Sequence, residues 1–325
     1  MAAGERRLHR RPRRATRSTA PRAHAGAPRG GRRRAGECEG DHRRGARCHR
    51  PRRGGGLLGG RARRGVRSDR QGRPPRPGPK RALGGEQVEG RRAVRELLAA
   101  RTRPVRDVWM AEGLDPAAVL REINELAKRA RVPVRYVGRR ALEAEARTEG
   151  PQGVLAHAQP LPEWDFDELC RDRARTPFLL AFDGVTDPQN LGALLRSADG
   201  AGVTGAVLPR HRTAHVTPAV TKAAAGAVER VRLSVVGGLP AALARARDLN
   251  VWVVGLDERG PESLFELQVA TEPLLLVLGA EGTGLSRLVR QRCDVLARIP
   301  LKGSIPSLNV AAAGALAVFE VSRRR

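Results

Sequence analysis

The chain has 325 residues, of which 29% are charged and 3% aromatic, and its formal net charge at pH 7 is +27. No apolar run approaches the roughly 18 to 20 residues of a membrane-spanning helix, so we expect no membrane segment. The N-terminus also lacks the apolar stretch of a secretory signal. This excess of basic charge indicates a polyanionic partner, usually a nucleic acid.

The positive charge is concentrated in residues 1–80. They hold 26 of the 61 Lys and Arg residues but five of the 34 acidic ones, so +21 of the net charge lies there. Arg, Gly, Pro and Ala dominate this segment, and we predict that it is disordered because it cannot bury enough apolar surface to offset the entropy of ordering. Two interpretations stay open. The segment is either an RNA-binding arm or a solvated tail, the latter even translated from a start codon placed too far upstream.

The chain contains four cysteines, Cys38, Cys48, Cys170 and Cys293. They form no C-x-x-C pair and no zinc-finger spacing with histidine, so we predict neither a structural zinc site nor a disulfide framework, as fits a reducing cytoplasm. The basic loop that contains His211 and His215 has no carboxylate or cysteine at ligand spacing, and we predict no metal there.

Residues 84–156 are predicted to form a small α/β domain, and the polar, proline-containing residues 157–175 a linker. The amphipathic helices are recognised by apolar residues at a spacing of 3.6, such as Val94, Leu97 and Leu98. The predicted elements are, in chain order, a helix over 85–100, a strand over 105–113, a helix over 116–132 and a strand over 132–138.

From residue 176 to 325, apolar strands alternate with helices. Strands that are apolar throughout and separated by helices indicate a parallel sheet covered on both faces, in which ligands bind beyond the carboxyl ends of the strands. The predicted strands cover 177–184, 205–210, 231–236, 250–257, 273–281 and 294–300, and the helices start at 190 or cover 217–228, 239–249, 284–293 and 307–321.

The first informative loop reads FDGVTDPQNLG, from residue 182. Pro188 disfavours a helical Asp187, so we predict that Asn190 is the N-cap of the following helix. Arg196 lies off the leucine stripe of that helix. Taken alone, the loop indicates only a capped helix with an arginine that reaches toward solvent.

Two later loops also follow predicted strands. LGAEGTGLS (278–286) places three glycines around Glu281, which lets main chain approach a ligand closely, although it is not a dinucleotide-binding fingerprint. In IPLKGSIPSLNVAAAGALAVFEV (299–321), Ser307 or Asn309 is predicted to start a helix that is apolar nearly all round. Such a helix is typical of an interior or a subunit interface.

Together, DGVTDPQNLGALLRSA, LGAEGTGLS and IPLKGSIPSLNVAAAGALA resemble, in order, the three motifs of the SpoU (TrmH) family of RNA 2'-O-ribose methyltransferases. Residues 84–156, which end in PQGVLA, resemble the small substrate-binding domain of the bacterial branch that methylates a guanosine of 23S rRNA. The resemblance implies a trefoil-knotted α/β catalytic domain of the SPOUT class over 176–325, S-adenosylmethionine as methyl donor, RNA as substrate, a homodimer and a cytoplasmic location.

The resemblance also implies roles for nine residues. The expected catalytic positions are Asn190, Arg196, Glu281, Ser307 and Asn309, and the expected cofactor-binding positions are Gly279, Ile299, Leu301 and Leu308. We expect Arg196 to stabilise the negative charge that grows on the 2'-oxygen or lies on the adjacent phosphate, because a guanidinium is too basic to act as a general base. Asn190 would orient Arg196 or the ribose, and Glu281 would hold Arg196. A substrate phosphate oxygen would then be the base.

Several alternatives stay open. Two lie within the family, a tRNA methyltransferase and an rRNA methyltransferase that confers antibiotic resistance. A third is a non-catalytic RNA-binding protein on the same scaffold, against which the intact motif residues weigh. A nicotinamide-dependent dehydrogenase would need an early glycine fingerprint, and the sequence has none. Pro151 and Ala311 depart from the family pattern, which often has His and Ser there, and the three motif cores are intact.

Overall fold

The computed structural model describes residues 83–211, 213–304 and 307–325, all within one compact unit, Pro74–Arg325. The predicted disorder of residues 1–80 and the cysteines Cys38 and Cys48 lie outside these described residues. The described part contains a four-stranded and a seven-stranded sheet. None of its helices is long and apolar enough to cross a bilayer.

The four-stranded sheet has the order β1-β4-β2-β3, with β1 and β2 antiparallel to β4 and parallel pairing between β2 and β3. Helices α1 and α2 pack on one face, and α3 covers the other through Leu142. The elements of this part are β1 (Gln87–Glu89), α1 (Arg91–Ala100), β2 (Val105–Ala111), α2 (Ala118–Ala130), β3 (Val134–Val137), α3 (Arg139–Glu145) and β4 (Val154–Ala158).

The first predicted helix is too long at its start. Gly90, with a φ of 95°, separates the helix that begins at Arg91 from the strand Gln87–Glu89, which pairs with β4. That φ lies in the region that glycine adopts without strain, so the chain turns there instead of continuing one helix. Neither α3 nor β4 was predicted, because short elements give little periodic signal.

The seven-stranded sheet is parallel throughout and has the order β7-β6-β5-β10-β8-β11-β9, which confirms the predicted parallel α/β class. The trefoil knot implied by the resemblance stays a prediction. The elements of this part are α4 (Phe166–Cys170), β5 (Phe178–Asp183), α5 (Pro188–Gly200), β6 (Gly205–Pro209), α6 (Pro218–Ala223), β7 (Leu233–Val236), α7 (Leu239–Asp248), β8 (Trp252–Leu256), β9 (Glu262–Ser263), β10 (Leu274–Gly279), α8 (Arg287–Arg292), β11 (Val295–Arg298) and α9 (Val310–Arg324).

The central strands are buried on both faces. In β5, Phe178, Leu180 and Phe182 point into the core that α5, α6 and α9 cover, whereas Leu179 and Ala181 point into the core that α4, α7 and α8 cover. This alternation follows from the two-residue period of a strand, and two apolar faces produce the continuous apolar run seen in the sequence. Leu169 and Cys170 of α4 belong to the second core, so the segment predicted to be a linker is packed against the sheet.

A buried ion pair connects the part of the chain that forms the small sheet to the part that forms the large sheet. Arg103 donates from Nε to Glu229 Oε2 at 3.0 Å and from Nη2 to Glu229 Oε1 at 2.6 Å, and both side chains are at most 2% exposed. The remaining guanidinium nitrogen, Nη1, donates to the carbonyl oxygens of Gly85 (2.7 Å) and Gln159. The fork geometry pairs both charges and satisfies the third guanidinium nitrogen, so the loop between α1 and β2 is held to the segment before β7 of the larger sheet.

We expect Arg103→Met to lower the free energy of unfolding by about 3 to 5 kcal/mol, because the substitution leaves the Glu229 carboxylate buried without a cation. The measurement is urea unfolding followed by circular dichroism. Arg135→Met is the matched control, since Arg135 is 61% exposed and 3.5 Å from Asp107, and its loss should cost at most about 1 kcal/mol. Equal effects of the two substitutions would contradict the role given to the buried pair.

Candidate active site

Four adjacent parallel strands, in the order β5-β10-β8-β11, place their carboxyl ends at one edge of the large sheet. The three motif loops follow β5, β10 and β11. Loops that leave parallel neighbours at the same edge must lie side by side, which is why such edges hold ligands in open α/β sheets. The three motif loops therefore lie close together at the carboxyl ends of the strands, as the sequence predicted.

Asp187, not Asn190, is the N-cap of α5. Its carboxylate accepts from the backbone N–H groups of Gln189 (3.3 Å) and Asn190 (2.9 Å), and Pro188 occupies the first helical turn. Proline suits that position because its fixed φ is helical and no N–H is needed there. The predicted cap at Asn190 is thus wrong, and the correction has a chemical consequence, because the Asn190 amide is free to bond outside its own helix.

The loop after β10 closes as a tight hairpin. Ala280 and Gly284 exchange two backbone hydrogen bonds of 3.1 and 2.9 Å, and Gly284 has a φ of 66°. A side chain at Gly279 would collide with the main chain of Gly284, so only glycine fits at the end of the strand. Asp183, at the end of β5, accepts from the Ser286 N–H at 2.6 Å and ties this loop to the neighbouring strand.

Polar side chains from all three loops meet in one hydrogen-bonded chain. Asn309 donates from Nδ2 to Asn190 Oδ1 at 3.1 Å, and Asn190 donates from Nδ2 to Glu281 Oε2 at 3.3 Å. Asn309 is also the N-cap of α9, as predicted, and accepts from the N–H groups of Ala311 and Ala312 at 2.9 and 3.4 Å. The cap fixes the Asn309 amide, which in turn sets the orientation of Asn190 and Glu281.

A cavity of about 740 Å³ opens beside this chain of amides, between the loops after β8, β10 and β11. Gly279 and Glu281 line it from the hairpin, and Ile299, Leu301 and Leu308 supply apolar wall. Ser307 lines it as well. Six of the nine predicted site residues therefore share one cavity, and Asn190 and Asn309 join it through Glu281.

Arg196 lies elsewhere. It is exposed and lines a second cavity, between α5 and α1, and it contacts no carboxylate within residues 83–325 that the structure describes. Six residues of helix separate it from Asn190, a rotation of roughly 240° about the axis. The expectation that Glu281 holds Arg196 is therefore wrong within one chain, because Glu281 bonds Asn190 on another face of α5.

The sequence reading missed Asp257, which follows β8 and lines the main cavity. The residue is 5% exposed, and its Oδ1 accepts from the Arg259 N–H at 2.9 Å. Arg290 Nη2 lies 2.6 Å from Oδ2, but no N–H of the described residues is aligned with that oxygen, so Oδ2 has charge compensation without a hydrogen bond. The signal for it was available, since NVWVVGLD is a predicted strand with an acid at its carboxyl end.

Cys293 is a core residue and not a nucleophile of the site. Burial raises the pKa of its thiol to about 12, so it stays protonated near neutral pH. Burial raises the pKa of Cys170 to about 12 for the same reason. Among the described residues no group of three or more His, Cys, Asp or Glu side chains is arranged to hold a metal ion.

Comparisons with known proteins agree with this geometry. The sequence profile of the "SpoU rRNA Methylase family" matches residues 177–319, and that of "RNA 2'-O ribose methyltransferase substrate binding" matches residues 87–164. The chain is 41% identical over 245 residues to the 23S rRNA (guanosine-2'-O-)-methyltransferase RlmB of Pseudomonas aeruginosa, with 74% of this chain and 97% of the relative covered. It is 39% identical to the RlmB of Haemophilus influenzae, and this match covers 74% of this chain and 98% of the relative.

A solved structure shows the same fold. The SpoU methyltransferase AviRb from Streptomyces viridochromogenes, crystallised in complex with the cofactor AdoMet, superposes with a TM-score of 0.62 at 27% identity, covering 73% of this chain and 89% of its own. The motif-based prediction is thus confirmed by both sequence and structure. The chain belongs to the SpoU rRNA methylase family and is, with that family, an S-adenosylmethionine-dependent RNA 2'-O-methyltransferase.

Proposed function

We propose that the protein transfers the methyl group of S-adenosylmethionine to the ribose 2'-hydroxyl of a guanosine in 23S rRNA, in the cytoplasm. The meeting of the three motif loops at one cavity carries the proposal. The choice of 23S rRNA is supported by the names of the curated relatives, which the chain covers over nearly their whole length. Residues 84–156 would bind the RNA and residues 176–325 would carry out the transfer.

The residues of the main cavity fit S-adenosylmethionine. Ile299, Leu301 and Leu308 offer an apolar slot for the adenine, and the glycine hairpin lets main-chain groups come close to it. The buried Asp257 Oδ2, which has Arg290 Nη2 at 2.6 Å but no aligned N–H, would suit an O–H or N–H of a bound nucleoside. When bound, the cofactor would supply a methyl group attached to a positively charged sulfur. The sulfur leaves as a neutral thioether, so the leaving group needs no proton.

The amides at the cavity rim would orient the ribose. In the transfer the 2'-oxygen forms a bond to the methyl carbon, the carbon–sulfur bond breaks, and the hydroxyl proton passes to a base, which we assign to a phosphate oxygen of the RNA. Asn190 and Asn309 are held in place by each other and by the α9 cap, so they present fixed donors and acceptors to the sugar. Ser307 lies on the same rim. Such preorganisation lowers the barrier because no group has to be reoriented during the reaction.

Arg196 is assigned to the negative charge of the RNA. Its guanidinium is exposed and without a carboxylate partner among the described residues, so it is available to a phosphate. Arg196 lies on another face of α5 than Asn190, so Asn190 does not orient it within the chain. Of the two roles expected for Arg196, this position favours contact with a phosphate over contact with the 2'-oxygen.

Deletion of the gene from its host should remove one 2'-O-methylguanosine from 23S rRNA, as read by ribose-methylation mapping. The wild-type gene should restore the modification, and Arg196→Ala should not, while the purified variant keeps its affinity for S-adenosylmethionine. An unchanged 23S rRNA with a methyl group lost from tRNA would replace the proposed substrate. Restoration by Arg196→Ala would refute the role of this residue alone.

We expect Asp257→Asn to weaken the binding of S-adenosylmethionine about tenfold or more in calorimetry, because a charged acceptor becomes an amide that presents N–H groups. Glu262→Gln is the matched control, since it also converts a carboxylate to an amide, at an exposed position of the edge strand β9, outside the cavity. Equal affinities of wild type and Asp257→Asn would contradict the assigned contact. A protein that bound no S-adenosylmethionine at all would instead support the non-catalytic alternative.

We also propose a homodimer with α9 at its interface. Two large apolar side chains of α9, Leu316 and Phe319, are 39% and 49% exposed. Phe319 lies beside Gly200 at the end of α5, so the apolar surface continues onto a second helix. A continuous apolar surface of this kind favours burial against another copy.

Leu316→Asp should shift the protein from dimer to monomer in size-exclusion chromatography with light scattering at micromolar concentration, because it places a charge in the buried interface. Leu288→Asp, which alters an apolar side chain that is 63% exposed on α8, is the matched control and should leave the dimer intact. A wild-type protein that is monomeric under the same conditions would end this proposal.

A further inference from the structure

A second cavity, of about 530 Å³, lies between α1 and α2, which pack on the small sheet, and α5 and residues 224–230, which belong to the large one. Four arginines line it, Arg92 and Arg95 from α1, Arg196 from α5, and Arg230. Only two carboxyl groups, those of Glu96 and Asp199, line the same cavity. The lining therefore holds four guanidinium groups against two carboxyl groups, an excess of positive charge in a concave site, where the field is strongest.

Two of the four arginines are neutralised inside the cleft. Arg230 donates to Glu96 Oε2 from Nη2 at 2.6 Å and from Nε at 3.1 Å, and Arg95 contacts both Glu96 and Glu122. Burial acts to raise the pKa of Glu96, but the hydrogen bonds from Arg230 and Arg95 outweigh it and hold the pKa below its ordinary value. Glu96 therefore stays ionised, and Glu96 and Glu122 together balance the charges of Arg95 and Arg230.

Arg92 and Arg196 are the two cations left over. Both are exposed, and neither contacts a carboxylate in the part of the chain that the structure describes. Asp199 forms an ion pair with neither of them among the described residues. Burial raises the pKa of its carboxyl, while the nearby charges of Arg230 and Glu96 shift it in opposite directions. One arginine comes from each side of the cleft, so together they face a shared volume.

The lining selects for a phosphate over a base or an apolar ligand. Val119 is its one large apolar side chain, and no aromatic residue contributes a stacking surface. Guanidinium groups bind the paired oxygens of a phosphate through parallel N–H donors, and they hold their charge at any physiological pH. The small-sheet side of the cleft falls within the region that matches the substrate-binding family, which makes RNA the source of that phosphate.

We propose that this cleft binds a phosphodiester of the substrate RNA, clamped between Arg92 and Arg196. The inference rests on the proposed function and extends it, because it adds Arg92, on α1, to the residues that hold the substrate. The cleft lies along α5 from the reactive amides, about 9 Å from Asn190 in axial rise. One helix thus carries contacts for the sugar at its first turn and for the backbone further along.

Removal of one phosphate contact should be visible in the salt dependence of RNA binding. We expect Arg92→Ala to raise the Kd and the KM for a 23S rRNA fragment about tenfold and to lower the slope of log K against log salt by about 1. The kcat at saturating RNA and the Kd for S-adenosylmethionine should not change, because Arg92 is remote from the main cavity. Arg92→Lys should retain the salt slope and recover part of the affinity, since it keeps the charge and loses the fork.

Arg140→Ala is the matched control, because it removes the same charge from an exposed position on α3, outside the cleft. It should leave both the slope and the affinity unchanged. An Arg92→Ala variant with wild-type slope and KM would overturn the clamp while wild-type methylation of the fragment kept the proposed function intact. A wild-type protein that bound the fragment but did not methylate it would count against the function, and the salt slopes would still decide the clamp.

Discussion

Parallel pairing of β5, β10, β8 and β11 is the constraint on which the site depends, because it brings four loops to one edge of the sheet. Parallel strands need both faces covered, and the two apolar cores on either side of β5 meet that need. The apolar residues of the strands are therefore buried in the two cores. The polar residues that follow the strands lie at the edge of the sheet, where they can contact a ligand. Asp183 shows how the loops are then locked, since a carboxylate at the end of one strand holds the loop of the next.

Helix α5 links two regions that have different physical demands. At its start, Asp187 takes over the capping of the backbone and leaves Asn190 to bond with Glu281 and Asn309. Further along, its outer face enters a cleft that is rich in arginine and has few apolar side chains. The buried Arg103–Glu229 pair links the loop after α1 to the residue before Arg230, so it connects the two sides of that cleft. The proposed substrate contacts on α1 and α5 would thereby depend on an ion pair outside the cleft.

Much of this arrangement could be predicted from the sequence. Continuous apolar strands separated by helices indicate a parallel sheet, and polar residues directly after them mark the edge where Glu281, Ser307 and Asn309 meet. Three features were not predicted from the sequence. Asp and Asn are both favoured at a helix N-cap, so the sequence could not decide between Asp187 and Asn190. The direction in which Arg196 points depends on the residue at which α5 begins. A helix start that is wrong by two residues therefore changes which groups Arg196 is expected to face. Asp257 was overlooked because its strand carries no glycine-rich loop to draw attention to it.

The hairpin from Ala280 to Gly284 has a consequence for ligand selectivity. Gly279 has no room for a Cβ, and the two strands of the hairpin are joined through their backbones, so this floor of the cavity is built from main chain. A floor of that kind keeps its shape when side chains change around it. The side chains of the walls, such as Glu258 and Arg259, are then what a substitution can change in the shape and charge of this cavity. Ligand selectivity in this cavity would therefore be altered by substitutions in its walls, and a small molecule sensitive to them would have to contact those side chains.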